Sequence, residues 1–123
     1  MVPDAAFPAV LRPPVRMRAW HPGGMSRRLD TEEISRQLLG LPTWSGDLAG
    51  IRATVTFPDF RAAIRGVDEI ALVAEEMDHH PDIDIRWRTL HLALTTHSAG
   101  GVTQLDVELA HRIDEIAAGL GAT

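Results

Sequence analysis

The chain has 123 residues, 45% of them hydrophobic and 24% charged, and its formal net charge is −5, as expected for one globular domain with a single core. It has no Cys, all twelve of its basic residues are Arg, and none of its serines lies in a Gly-x-Ser-x-Gly elbow, which excludes thiol chemistry, lysine Schiff bases and that class of serine hydrolase. The acidic balance argues against a nucleic-acid groove, and no apolar run approaches the roughly 20 residues that span a membrane.

Residues 1–28 differ in composition from the rest of the chain. They hold five of the eight prolines, and five of the twelve arginines against one of the seventeen acids. Because proline fixes φ and lacks an N–H, Pro13-Pro14 and Pro22 oppose a regular helix or strand. We therefore predict a flexible Pro/Arg-rich extension over residues 1–28, or alternatively a basic binding arm, and a folded domain over residues 29–121. The segment has no continuous apolar stretch like that of a secretory signal, so the expected compartment is the cytoplasm.

The first half of the domain predicts one helix and two strands. The helix is expected over about Thr31–Leu39, because Asp30 is a good N-cap and Glu33 follows three residues later. A short strand over residues 43–45 comes next. Residues 51–57 then alternate apolar and polar side chains, as a half-buried strand does.

The next segment predicts the longest helix, with Pro58 in its first turn. Its expected core stripe recurs at steps of three and four residues: Phe60, Ala63, Ile64, Val67, Ile70, Ala71, Ala74 and Met77. Gly66 weakens the middle of a helix, so close packing is the expected reason for its presence. Pro81 ends the helix and places His79 and His80 in a sharp turn.

Two more strands and a third helix complete the predicted domain. Ile83, Ile85 and Trp87 alternate with polar residues, and residues 90–95 form the following strand. The last helix opens after Thr103, stops at Gly119 and has a predicted buried stripe of Leu105, Leu109, Ile113, Ile116 and Ala117. Because the strands pair as hairpins and each has one polar face, we predict an α+β fold. It is a two-layer sandwich, with a four-stranded antiparallel sheet and three helices packed on one face.

Three histidines stand out, because imidazole is the side chain that exchanges protons near neutral pH. They belong to a spaced set of residues: Glu75, His79-His80-Pro81, Trp87, His97 and Asp106. With Trp44, Phe57-Pro58-Asp59-Phe60 and Thr95-Thr96-His97, this set resembles the signature of the pterin-4a-carbinolamine dehydratase family. Its proteins are also known as the dimerisation cofactor of a homeodomain transcription factor. The resemblance extends from Leu29 to about Ala118.

The resemblance implies a hydro-lyase that converts a 4a-hydroxytetrahydropterin to a quinonoid dihydropterin, with no metal and no cofactor. An imidazolium can protonate the leaving hydroxyl, while a neutral imidazole takes the ring N–H proton as the new C=N bond forms. Both forms of His coexist near neutral pH, since its ordinary pKa is about 6.5. The implied partners are a pterin substrate and further copies of the chain in a homodimer or homotetramer, with no nucleic acid and no membrane.

The resemblance also assigns roles to residues. The catalytic set is His79, His80 and His97, of which His79 and His97 resemble the acid–base pair and His80 the group that positions the pterin. The implied substrate-binding residues are Asp78, Thr95, Thr96 and Ser98. Glu75 and Asp106 resemble carboxylates that orient imidazoles. Ser98 departs from the pattern, since animal members of the family carry Glu there.

Several of these residues have simpler interpretations. His79 and His80 can act as cations at a helix C-terminus, and His97 as a solvated loop residue. Thr103-x-x-Asp106 is also a capping box that needs no active site. The remaining candidates are predicted to be structural or solvent-exposed: Trp44, Trp87, His91, His111 and His21.

Two other functions stay open at this point. The first is a metallohydrolase that uses His79, His80 and His97, although the chain lacks the His-Glu-x-x-His spacing. The second is a catalytically idle interaction module similar to a coactivator.

Overall fold

The computed structural model describes residues 27–123, so the predicted extension lies outside the described residues except for its last two positions. The described helices are α1 (Thr31–Leu38), α2 (Phe60–Met77) and α3 (Gln104–Gly119). The strands are β1 (Trp44–Asp47), β2 (Gly50–Thr56), β3 (Asp82–Arg86) and β4 (Thr89–Leu94), and a short 3-10 turn covers His97–Ala99. No helix in this part of the chain combines the length and apolar character that crossing a membrane requires.

The four strands form one antiparallel sheet in the order β1-β2-β4-β3. Side chains alternate between its two faces. Ile51, Leu90 and Leu92 are buried in the core that the helices cover, whereas Arg52 and His91 lie on the open polar face. The predicted α+β sandwich is therefore confirmed. His91 faces away from the core as expected, and its Nδ1 lies 3.2 Å from Thr54 Oγ1.

The start of α1 follows the sequence pattern. The Asp30 carboxylate accepts from the Glu33 N–H, and the Glu33 side chain accepts from the Asp30 N–H, each at 2.8 Å. This reciprocal capping box confirms the predicted N-terminus. The Arg27 guanidinium also bonds to Glu33, and this hydrogen bond is the main reason that the pKa of Glu33 falls to about 2.

Helix α2 starts two residues later than its sequence pattern indicated. Its N-cap is Asp59, whose carboxylate accepts from the Ala62 N–H at 2.8 Å, so Pro58 precedes the helix and the prediction for its first turn was wrong. The buried stripe is also rotated: Ala63, Gly66, Ile70, Ala74 and Met77 are buried. Three predicted members of the stripe, Phe60, Ile64 and Ala71, are instead exposed, as is Leu72. The buried face is centred on Gly66, where the helix backbone packs against the ring of Phe57.

Gly66 is required for this close contact, as the sequence suggested. A Cβ at this position would lie 2.8 Å from Cζ of the Phe57 ring. An alanine gains about 1 kcal/mol in helix propensity, but overpacking a core costs about 1–3 kcal/mol. We therefore expect Gly66→Ala to lower the free energy of unfolding, by up to about 2 kcal/mol, in urea denaturation. Gly119→Ala is the matched control, because a Cβ there meets nothing within 4 Å. Equal stability of Gly66→Ala and wild type would show that Phe57 moves aside freely.

Trp87 and Gly119 differ from prediction, whereas Trp44 agrees with it. Trp87 does not continue β3; it lies in the two-residue turn before β4 with φ of 57°, and it is 71% exposed, so its predicted packing role was wrong. Trp44, by contrast, is buried, and its Nε1 donates to Asp114 at 2.8 Å. Gly119 is the last residue of α3 rather than its stop, and Gly121 is the glycine with a left-handed φ of 78°. The end of β3 and the end of α3 are decided by turn geometry, which the spacing of apolar residues does not encode.

Candidate active site

The C-terminus of α2 aims two neighbouring histidines in different directions. Asp78 adopts the left-handed conformation, with φ of 51° and ψ of 43°, and the His79 N–H donates back to the Ala74 carbonyl at 3.0 Å. This arrangement is the Schellman type of helix end, after which the chain turns sharply. The turn buries His79, whereas the His80 side chain stays 56% exposed. The predicted sharp turn is confirmed.

Asp78 occupies a position where glycine is the usual residue. A left-handed L-residue costs about 1–2 kcal/mol, although Asp tolerates this conformation better than most residues. We expect Asp78→Gly to leave the free energy of unfolding unchanged or to raise it by up to about 1 kcal/mol. If the carboxylate binds substrate, the same variant has a higher KM. Thermal unfolding and steady-state kinetics measure the two effects separately. Asp78→Asn is the matched control, since Asn tolerates the conformation but lacks the charge, and an unchanged KM in both variants would exclude a substrate contact.

His79 forms a buried pair with the first turn of α3. Its Nε2 lies 2.6 Å from Oδ1 of Asp106, whose side chain is 0% exposed. The other carboxylate oxygen, Oδ2, accepts from Thr96 Oγ1 at 2.8 Å and from the Thr103 N–H at 2.9 Å. Asp106 thus caps the helix, as the capping-box interpretation predicted, and the same carboxylate also contacts the imidazole.

His80 has a carboxylate partner of a different kind. Its Nε2 lies 2.6 Å from Oε2 of Glu75, one turn back along α2, and both side chains are largely exposed. An exposed pair of this type contributes little to stability, because water screens it. Its effect is to limit the directions in which the ring can point.

The segment that contains His97 follows β4 and leads toward α3. Thr96 forms an isolated antiparallel bridge with Gly101, and the turn between them exposes His97 and Ser98, while Thr95 is half-buried. Thr96 itself is buried, and its hydroxyl is committed to Asp106 and to Thr103. Asp106 therefore ties this segment to His79, and the His97 Cα follows that of Thr96 by only ~3.8 Å.

Thr103 is the residue of this network to which the sequence assigned only a capping role. Its side chain is fully buried, and its Oγ1 lies 2.8 Å from Oγ1 of Thr96. The Thr103-x-x-Asp106 pattern was the available signal, but it predicts only a cap. Trp87 lies apart from the network, since the length of β3, ~16 Å of strand, separates it from the turn that holds His80.

Two observations bear on other kinds of site. Among residues 27–123, no three His, Asp or Glu side chains are arranged to hold a metal ion. The structure therefore gives the metallohydrolase alternative no support in this part of the chain. A groove of about 580 Å³ lies on the polar face of the sheet, where Arg52, Asp84 and His91 contribute to its lining. None of the candidate histidines and none of their carboxylate partners lines this groove.

Comparisons with known proteins show which family this chain resembles. The family model described as pterin 4 alpha carbinolamine dehydratase matches residues 27–116. A protein of Roseiflexus sp. (strain RS-1), provisionally named pterin-4-alpha-carbinolamine dehydratase, is 50% identical over 92 residues, which cover 75% of this chain and 99% of that protein. A Nocardia farcinica protein with the same provisional name is 51% identical over 89 residues, 72% of this chain and 94% of its own length.

Solved structures show the same similarity. A transcriptional coactivator/pterin dehydratase from Brucella melitensis superposes with a TM-score of 0.72 at 33% identity, over 74% of this chain and 99% of that one. A pterin dehydratase-like protein identified as a RuBisCO assembly factor in the alpha-carboxysome has a TM-score of 0.51 at 20% identity, over 60% of this chain and 86% of that one. The second similarity concerns the fold alone.

Proposed function

This chain belongs to the pterin 4 alpha carbinolamine dehydratase family, and we propose that it removes water from a 4a-hydroxytetrahydropterin to give a quinonoid dihydropterin. The observation that carries the proposal is the buried His79–Asp106 pair, which Thr96 connects to the segment of His97. A buried carboxylate that holds an imidazole in one orientation is a common arrangement in proton-transfer sites.

The reaction needs one proton donor and one proton acceptor. The bond between the ring carbon and the hydroxyl oxygen breaks with its electron pair on oxygen, and a proton from an imidazolium turns the leaving group into water. A neutral imidazole takes the N–H proton of the adjacent ring nitrogen, whose electron pair forms the C=N bond. One proton is given and one is taken, so the enzyme carries the same number of protons as before, but the two imidazoles have exchanged protonation states. Proton exchange with solvent resets both rings before the next turnover. Acid and base assistance of this kind each contribute about 10²–10⁴-fold.

The described residues can supply these groups. In this proposal His79 and His97 share the acid and base roles. The exposed His80, whose ring is oriented by Glu75, positions the pterin. The exposed Ser98 and the half-buried Thr95 lie beside His97, where a substrate ring could contact them. Asp78 precedes the two histidines in the turn and completes the proposed set. Thr96, also expected to bind substrate, is left out of it, because its buried hydroxyl is bonded to Asp106 and Thr103.

A stopped-flow assay with a synthetic 4a-hydroxytetrahydropterin tests the proposal. We expect wild type to accelerate the dehydration, and His80→Ala to lower kcat/KM by about 10²-fold through loss of substrate positioning. His91→Ala is the matched control, because this histidine lies on the open face of the sheet and contacts Thr54. A wild-type protein that does not exceed the uncatalysed rate would reject the proposed activity.

A catalytically idle interaction module is the second candidate. Exposed apolar side chains on α2, those of Phe60, Ile64 and Leu72, support it, since such groups are frequent at protein contacts. The same assay separates the two functions, because an idle module binds its partner equally well when all three histidines are replaced. The homodimer or homotetramer also remains a proposal, and light scattering coupled to size-exclusion chromatography measures it.

A further inference from the structure

The hydrogen bonds around Asp106 determine where the protons of this network lie. From them we propose that Thr96 and Thr103 are positioning residues. Acting through Asp106, they keep a proton on Nε2 of His79 and leave Nδ1 as the nitrogen that exchanges a proton with the substrate. The identity of the substrate in this inference rests on the proposed function, whereas the positions of the protons on His79 do not depend on it.

The two threonine hydroxyls form a one-way chain of hydrogen bonds. Each hydroxyl has a single hydrogen, and that of Thr96 is donated to Asp106 Oδ2 over 2.8 Å. The contact of 2.8 Å between the two hydroxyls must therefore use the hydrogen of Thr103, with Thr96 as the acceptor. Thr103 Oγ1 in turn accepts from the Leu105 N–H at 3.2 Å. The chain thus runs from the backbone of α3 through both hydroxyls to the carboxylate.

This chain determines what Asp106 can do toward His79. Oδ2 receives the Thr96 hydroxyl and the Thr103 N–H, and Oδ1 faces His79 Nε2 at 2.6 Å. A carboxylate only accepts hydrogen bonds, so the contact at Oδ1 requires the proton to be on Nε2. Three donors satisfy the anion, and their burial strengthens each bond, because the local dielectric is low.

With Nε2 committed, Nδ1 is the nitrogen of His79 that remains for chemistry. No residue among 27–123 forms a hydrogen bond with it, and His79 as a whole keeps 8% of its surface exposed. In the neutral ring the Nδ1 lone pair takes a proton, and in the imidazolium Nδ1 returns it. The Nε2 proton stays on Nε2 throughout, and Asp106 remains a carboxylate.

His80 provides an internal comparison for this arrangement. Its partner Glu75 is exposed and receives no hydrogen bond from a threonine or from the described backbone. Water competes for both ring nitrogens of His80, so its neutral form is expected to populate both tautomers. His79 and His80 should therefore differ in tautomer population, although both rings lie 2.6 Å from a carboxylate oxygen.

Nitrogen-15 NMR of ring-labelled protein tests the inference, because it distinguishes protonated from unprotonated ring nitrogens. At a pH where His79 is neutral, we expect wild type to hold the proton on Nε2 alone. Thr96→Val removes one of the three donors to the carboxylate at nearly constant volume, so Asp106 Oδ1 is held less firmly toward His79 Nε2. We expect a minor Nδ1–H population, with kcat lowered about tenfold and KM changed less than about threefold. Thr96→Ser should restore both the tautomer and kcat. Thr54→Val is the control, since that hydroxyl contacts the ring of His91.

Each outcome supports or overturns the inference. Wild-type spectra that place the proton of His79 on Nδ1 would overturn it, as would a Thr96→Val protein with an unchanged tautomer and unchanged kcat. Thr103→Ser keeps the hydroxyl chain and should resemble wild type, whereas Thr103→Val should shift the tautomer in the same direction as Thr96→Val. If wild type shows no dehydratase activity, the proposed function fails, but the spectra of wild type still decide the proton arrangement without any variant.

Discussion

We expect His79→Gln to lower kcat for dehydration by about 10²–10⁴-fold, the range over which one general acid or base contributes. Gln has an amide N–H that can replace His79 Nε2 as a donor to Asp106 Oδ1, so the buried carboxylate keeps its partner. The amide cannot exchange a proton near neutral pH, and chemistry is therefore lost while the fold is retained. Single-turnover stopped-flow kinetics measure kcat, and urea denaturation should show a change in stability of about 1 kcal/mol or less.

The control for this substitution is His91→Gln, which changes a histidine outside the proposed site. It should leave kcat within about twofold of wild type. A His79→Gln enzyme with kcat close to that of wild type would remove this imidazole from the reaction, whatever the cause of its burial.

Asp106→Ala is expected to have the largest effect on stability. The substitution leaves the Thr96 hydroxyl, the Thr103 N–H and the His79 ring without their buried partner, and it removes the capping box of α3. Breaking a buried, hydrogen-bonded pair from one side costs about 3–5 kcal/mol, a large part of the 5–15 kcal/mol that stabilises a typical domain. We expect this loss in the free energy of unfolding, measured by urea denaturation monitored through tryptophan fluorescence.

Asp106→Asn separates the structural role of this residue from its chemical role. The amide oxygen can still accept from Thr96 and Thr103, which leaves the NH₂ group facing His79 Nε2. The ring must then accept at Nε2 and carry its proton on Nδ1, the reverse of the arrangement inferred for wild type. We expect a stability loss of only about 1–2 kcal/mol but a decrease in kcat of about 10²-fold or more, since a reversed tautomer disables proton transfer. Equal losses of stability in the Ala and Asn variants would contradict this separation.

Local sequence patterns predicted the parts of the fold that depend on neighbours in the chain. The Asp30–Glu33 capping box, the turn before Pro81 and the alternation of β2 and β4 all came from residues within a few positions of one another. The rotated face of α2 was missed, because the sequence shows many apolar side chains but not which of them meets the Phe57 ring. The conformation of Trp87 was missed because its positive φ comes from the two-residue turn between β3 and β4.

The candidate site, like the fold, has one part that the sequence predicted and one part that only the structure shows. The sequence by itself determined the fold class, the helix end that carries His79 and His80, and the cap formed by Thr103 and Asp106. Only the tertiary structure decided that Asp106 also bonds His79, 27 positions away, and that Thr96 connects both to the segment of His97. The physical reason is that backbone geometry sets hydrogen bonds between near neighbours, whereas the packing of α2 and the end of β4 against α3 decides which distant side chain reaches a buried carboxylate.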